Sequence, residues 1–172
     1  MTTFEELDHE KFMREALQEA ELALQQNERP IGAVVVHHSK IVGRGRAQHQ
    51  KRQSDIAHAE LNALIQAEKY IKAHPHECVI YTTVEPCVMC LGAIVMSDID
   101  HVVFALADKF IVPAQMLEMP YVKRHIKNYV GGVLAMESHD LYAKYSLEEL
   151  DLLMGFKTPQ SQTSNSKLNV GD

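Results

Sequence analysis

Between Ala57 and Leu106 the hydrophobic period switches repeatedly between helical and extended spacing, and that alternation constrains the fold more than any other feature. Leu61, Leu64, Ile65, Glu68 and Ile71 recur at helical spacing, which predicts a helix from Ala57 or His58 to just before His74-Pro75, since the position ahead of a proline disfavours helix. Cys78 to Thr83 is a short β-branched run that reads as a strand. Pro86 suits the first turn of a helix running through Met96 to Ser97-Asp98, and His101 to Leu106 reads as the next strand. Strands joined through helices favour parallel pairing, so this half of the chain predicts a sheet sandwiched by helices.

Upstream, Met13, Ala16, Leu17, Ala20, Ala23 and Leu24 line one face of an opening helix between Phe4 and Gln26. Ile31 to His37 and Ile41 to Gly43, joined through His38-Ser39-Lys40, read as a hairpin, and Arg44 to Asp55 as a polar loop of the length that often lines a site. Past Pro113 the pattern weakens: it predicts a helical piece over Tyr121 to Tyr129, a strand over Gly132 to Met136 and a closing helix from Asp140 to Met154. The elements sum to one α/β domain over residues 1–156, followed by a flexible polar tail over 157–172 that lacks aromatic residues.

The chain has 172 residues, enough for one core without disulfide staples. No apolar run approaches the ~18 residues of a spanning helix. The acidic start Met1 to Glu6 lacks a basic-then-apolar leader, so the expectation is a cytoplasmic protein. Seventeen basic against twenty-three acidic residues give a net charge of −6, where a dedicated nucleic-acid binder usually carries a basic excess; the balance favours a small substrate. Three cysteines are an odd number for a disulfide framework, which turns attention to metal or redox chemistry.

Two motifs carry that chemistry: His58-Ala59-Glu60 at one predicted helix start and Pro86-Cys87-Val88-Met89-Cys90 at the next. Two thiolates two residues apart at a helix start, with an imidazole from a neighbouring helix start, are a donor set suited to Zn2+. Helix N-termini also favour thiolate over thiol. Three protein ligands leave a tetrahedral position for water, which separates a catalytic site from a structural one. Two thiolates and a neutral imidazole cancel the charge of a divalent ion, so water is acidified less than in a tris-histidine site; Glu60 is then the group that takes and returns protons.

A histidine-x-glutamate followed by proline-cysteine-x-x-cysteine is the signature of zinc deaminases that replace an exocyclic amine of a nucleobase with oxygen. The sequence resembles the cytidine and deoxycytidylate deaminase superfamily, most closely bacterial tRNA adenosine deaminases and guanine deaminases. The resemblance runs from Pro30-Ile31-Gly32-Ala33-Val34 through Ala57-His58-Ala59-Glu60 and Thr83-Val84-Glu85-Pro86-Cys87-Val88-Met89-Cys90-Leu91-Gly92-Ala93 to Val102-Val103-Phe104, about two thirds of the chain. It implies a three-layer α-β-α fold around a five-stranded mixed sheet, commonly a homodimer. It implies His58, Cys87 and Cys90 as zinc ligands, Glu60 as proton shuttle, and the backbone N–H of Ala59 as a substrate contact at the pocket floor. The asparagine that usually binds substrate from the preceding loop falls on Ala47, with Gln48 as the neighbouring amide. Ser54-Asp55-Ile56 and Lys109 to Pro113 also depart from the family pattern, which implies altered substrate recognition.

The leading expectation is hydrolytic deamination of a free base or nucleoside, releasing ammonia. Editing of an adenosine in tRNA is a second expectation, and a noncatalytic zinc module for protein contact a third. A redox dithiol, or a closed zinc site with Cys78 or another residue as fourth ligand, stands beside them as a minor alternative. Lys40, Arg44, Arg46, Lys51 and Arg52, and again Lys123, Arg124 and Lys127, read as solvated surface charge before they read as phosphate contacts. The histidines at 37, 38, 74 and 76 read as turn residues rather than ligands.

Overall fold

The computed structural model describes residues 3–156; the tail expected over 157–172 lies outside them. Its core is a five-stranded sheet in the order β2-β1-β3-β4-β5, formed by β1 (Gly32–His37), β2 (Lys40–Arg46), β3 (Cys78–Val84), β4 (His101–Leu106) and β5 (Asn128–Val130). β1 pairs antiparallel with both β2 and β3, while β3, β4 and β5 run parallel, so the sheet is mixed. The helices are α1 (His9–Gln25), the single turn α2 (His49–Arg52), α3 (Ala59–Ala73), α4 (Val88–Met96), α5 (Pro120–His125), α6 (Ala135–Tyr145) and α7 (Leu147–Leu153).

Strand alternation sets the three layers, because successive side chains point to opposite faces. Val34 and Val36 of β1 pack with Phe12, Met13, Ala16 and Leu17 of α1, while Ala33 and Val35 pack with Ala59, Ala63, Leu64 and Ala67 of α3. α6 shares the α1 side and α4 the α3 side. Each layer excludes water from one sheet face; burying a side chain of valine size contributes about 1.5–3 kcal/mol.

β2 reaches Arg46, further than the expected end at Gly43. Gly43 and Gly45 face α3, where a Cβ at either position would collide with α3 backbone, whereas Arg44 and Arg46 face α1 and pair with Glu15 and Glu19. The run Gly43-Arg44-Gly45-Arg46 thus alternates as a strand should, with glycine as its buried residue and arginine as its paired one. The expected loop is further shortened by α2, whose Gln50 and Lys51 N–H groups donate to the buried Glu28 carboxylate at 3.1 and 2.8 Å.

Three C-terminal expectations are corrected. The fifth strand is Asn128–Val130 rather than Gly132 to Met136, because Gly132 turns the chain at φ 90° and Tyr129 sits opposite Val102 in the parallel ladder. The helical piece expected over Tyr121 to Tyr129 therefore stops at His125. The closing helix is two helices: Ser146, extended at φ −160°, ends α6 and caps α7 by accepting the Glu149 N–H. α4 begins at Val88, with Cys87 as N-cap, so Pro86 lies before the helix instead of in its first turn.

Candidate active site

β1 runs antiparallel to β3, so the start of β1, the end of β2 and the C-terminal ends of β3 and β4 meet at one edge of the sheet, where α/β proteins collect their ligands. Two helix N-termini converge there. His58 is the N-cap of α3 and Cys87 the N-cap of α4, both in extended backbone. Asn62 holds the α3 end in place, its side-chain amide donating to the Arg46 carbonyl at 2.8 Å.

His58 Nδ1 lies 3.6 Å from Cys87 Sγ and 3.5 Å from Cys90 Sγ. A tetrahedral zinc about 2.3 Å from sulfur and 2.0–2.1 Å from nitrogen separates such donors by roughly 3.6 Å, so the three atoms fit that ion. His58, Cys87 and Cys90 form one group of close metal-binding donors among the described residues, with no fourth protein donor in it. Cys78 is buried at the far end of β3, where burial pushes its thiol up to about 11.

In the metal-free chain the donors share protons. The Cys90 thiol donates to Cys87 and, with His58, brings Cys87 down to about 4; the same hydrogen bond and burial drive Cys90 upward. His58 is raised, chiefly by its hydrogen bond to Cys87. Glu60, in the first turn of α3, is 3% exposed, and burial pushes its carboxyl up to about 7. A carboxyl poised there can both take and give a proton near neutrality.

These groups open onto a cavity of about 400 Å3. Ala59 is in its lining, and as the first residue of α3 its N–H has no partner within the helix. Ala47 also lines it, with its own N–H donated to the Ile31 carbonyl, and brings no polar side chain. Gln48 does not line the cavity; it is the N-cap of α2. His49, the next residue, does line it, with its ring 5.1 Å from that of His58 and its buried Nε2 lacking a hydrogen-bond partner among the described residues. Burial, with the neighbouring His58 and Arg29, holds the His49 ring below the ordinary histidine value.

Sequence reasoning misses most of the remaining wall. Tyr142, Glu149, Leu152 and Leu153 come from α6 and α7, and Lys109 N–H donates to the Leu153 carbonyl, closing α7 against the loop after β4. Arg29 Nε donates to Glu149 at 2.9 Å across the rim. Glu85 fixes the opposite side, accepting from the Tyr129 hydroxyl and the Asp108 N–H at 2.9 Å each. The readable traces of this wall are the departure at Lys109 to Pro113, whose Phe110 and Ile111 line the cavity, the expected closing helix, and the Ser146-x-x-Glu149 cap.

Known proteins agree with this geometry. A tRNA-specific adenosine deaminase of Bacillus subtilis (strain 168) is 40% identical over 143 residues, 81% of this chain and 89% of that protein. One of Streptococcus pyogenes serotype M18 (strain MGAS8232) is 40% identical over 103 residues, 57% of this chain, and the match spans only 62% of that protein's length. Among solved structures, a tRNA:A34 deaminase, from work on A-to-I editing at the wobble position of transfer RNA, superposes with TM-score 0.68 at 27% identity, covering 76% of this chain and 98% of that one. Guanine deaminase from Bacillus subtilis superposes with TM-score 0.55 at 31% identity, covering 65% and 71%. The MafB19-like deaminase model matches residues 7–135, most of the described fold and all of the His58, Glu60, Cys87 and Cys90 cluster. With the motifs, the mixed sheet and the converging helix starts in agreement, the chain belongs to the MafB19-like deaminase family.

Proposed function

We propose that the protein is a cytoplasmic, zinc-dependent hydrolytic deaminase that replaces an exocyclic amine of a purine or pyrimidine, as free base or nucleoside, with oxygen and releases ammonia. The observation that carries this reading is a three-donor cluster beside a buried carboxyl at the floor of a cavity of about 400 Å3, a size within the range of small-molecule pockets. A noncatalytic zinc module has no use for that opening or for Glu60 beneath it.

His58 Nδ1, Cys87 Sγ and Cys90 Sγ would hold the zinc. Zinc bound there supplies a Lewis acid that lets water act as a nucleophile at neutral pH. Glu60 takes one proton of the attacking water and passes it to the ring nitrogen next to the amine; it then takes the second proton, from the hydroxyl now on the ring carbon, and gives it to the amine, which leaves as ammonia while the carbonyl forms. The Ala59 N–H donates to an acceptor on the base, and His49 Nε2 offers a second polar contact in the place where Ala47 has none. Ile31, Val84, Leu152 and Leu153 give the base an apolar enclosure that excludes bulk water.

The relatives that are tRNA-specific adenosine deaminases favour a second reading, adenosine in tRNA. The charges favour the small substrate. Arg44 and Arg46 are engaged by Glu15 and Glu19, Lys123 by Glu118 at 3.3 Å and Lys127 by Asp100 at 2.6 Å, so these cations are compensated within the fold. Exposed Ile65, Val88 and Met96, the last 72% exposed, support a homodimer packed through the α3–α4 side. Ammonia release and product mass across free bases, nucleosides and tRNA, at low and high salt, test the assignment. Turnover of a base or nucleoside with little salt dependence is expected. Turnover confined to tRNA, falling steeply with salt, transfers the substrate to RNA; no ammonia from any of them removes the deaminase reading.

A further inference from the structure

α3 presents His58 at one end and, at the other, reaches a second group of metal-binding side chains. His37 closes β1, His74 is the C-cap of α3 and Glu77 directly precedes β3; the β1–β2 turn and the α3–β3 connection bring them together. The 15 residues of α3 put this group about 22 Å from the candidate active site, at 1.5 Å rise per residue.

His37, His74 and Glu77 each offer a donor atom within 4.8 Å of the others. His37 Nε2 is 3.1 Å from Glu77 Oε2, and His74 Nδ1 is 3.9 Å from Glu77 Oε1. Donors held 2.0–2.2 Å from a tetrahedral ion stand roughly 3.4 Å apart, between these two spacings, so small side-chain rotations satisfy both. His38 Nε2 lies beside them, 3.4 Å from the same Glu77 oxygen.

The surroundings have the other features that a metal site needs. The Tyr70 hydroxyl is 2.9 Å from His37 Nδ1 and fixes the ring with Nε2 toward Glu77. The rings of Tyr70 and His74 stack at 4.6 Å, holding the second imidazole. The His74 and Glu77 side chains are each 37% exposed, which leaves these donors open to solvent.

We propose that His37, His74 and Glu77 form a second metal site, for a divalent transition-metal ion of the zinc class, that clamps the β1–β2 turn, the end of α3 and the start of β3. Two imidazoles and one carboxylate, without sulfur, suit Zn2+, Ni2+ or Cu2+ and disfavour Ca2+ and Mg2+, which take oxygen ligands. Binding reverses one hydrogen bond. In the metal-free chain the His37 Nε2–H donates to Glu77 and the Tyr70 hydroxyl donates to Nδ1; with the ion on Nε2, the Nδ1–H donates to the Tyr70 oxygen.

The test uses the untagged full chain, stripped with a chelator, dialysed against Zn2+ and measured by elemental analysis. Two equivalents are expected in the unmodified protein, and one each in Cys87→Ala, His74→Ala and Glu77→Gln. The substitutions at 74 and 77 change half-exposed side chains, and circular dichroism confirms that each variant is folded. Co2+ distinguishes the sites: His74→Ala keeps the sulfur-to-cobalt charge-transfer band, and Cys87→Ala lacks it while keeping weak visible bands of a nitrogen and oxygen site. A single equivalent in the unmodified protein overturns the proposal. So do two equivalents retained in both His74→Ala and Glu77→Gln.

Discussion

Glu60 is separated by one residue from the histidine of the donor cluster, yet burial leaves its carboxyl almost no water to stabilise a charge. Glu60→Gln keeps the shape and removes the capacity to carry a proton. Ammonia release is expected to fall by about 10²–10⁴-fold, with metal content unchanged by elemental analysis; undiminished turnover takes Glu60 out of the mechanism. The role proposed for His49 is different, because its Nε2, without a hydrogen-bond partner among the described residues, belongs to a ring that lines the cavity and is placed to meet the base rather than the attacking water. For His49→Ala, KM is expected to rise about tenfold, the worth of roughly one buried hydrogen bond, while kcat moves less. An unchanged KM across the reactive bases would leave that nitrogen without a substrate role.

At the scale of elements, the site depends on how closely α3 lies on β2. A Cβ on Gly45 would strike the carbonyl oxygen of Ala59 and the backbone nitrogen of Ala63, so Gly45→Ala must push away the helix end that carries His58 and Glu60. Such overpacking costs about 1–3 kcal/mol. Urea denaturation should show a loss of that order together with weaker metal retention, and full stability would show that α3 does not seat on β2 as described. The same contact explains what was legible beforehand. α3, α4 and their motifs could be read because a 3.6-residue period and a Cys-x-x-Cys spacing are written locally. β2 beyond Gly43 could not, because Arg44 and Arg46 look solvent-facing until α1 brings Glu15 and Glu19 to them. Tyr142, Leu152 and Leu153 reach the pocket only through the docking of α6 and α7, and no short-range pattern encodes that. Counting back from His58 reaches Ala47, which does line the cavity, but the polar side chain this segment brings there is His49, two residues on, because Glu28 caps α2 and sets that turn. His37 and His74 read as ordinary turn residues because their turns meet only in the folded sheet, and Glu77, at the start of β3, carries no local signal of its own.

For the molecule as a whole, proton and metal equilibria are linked. Without metal, the hydrogen bond to Cys87 and burial raise the Cys90 thiol, which keeps its proton near neutrality, while the hydrogen bond to Cys87 raises His58, and Cys87 is lowered. Coordination requires neutral imidazole and thiolates, so binding releases protons and affinity must fall as pH falls. Calorimetry of Zn2+ binding in buffers of different ionisation enthalpy should show net proton release and weaker binding toward acid; binding with no proton release would contradict the donor assignment. The order of the elements along the chain has a temporal consequence. All three donors lie within the first 90 residues, whereas Leu152 and Leu153, which complete the cavity wall, belong to α7. During synthesis the ion-binding residues leave the ribosome well before the enclosure that shields a base from solvent, so a nascent polypeptide has its metal ligands in hand before it has anywhere to put a substrate.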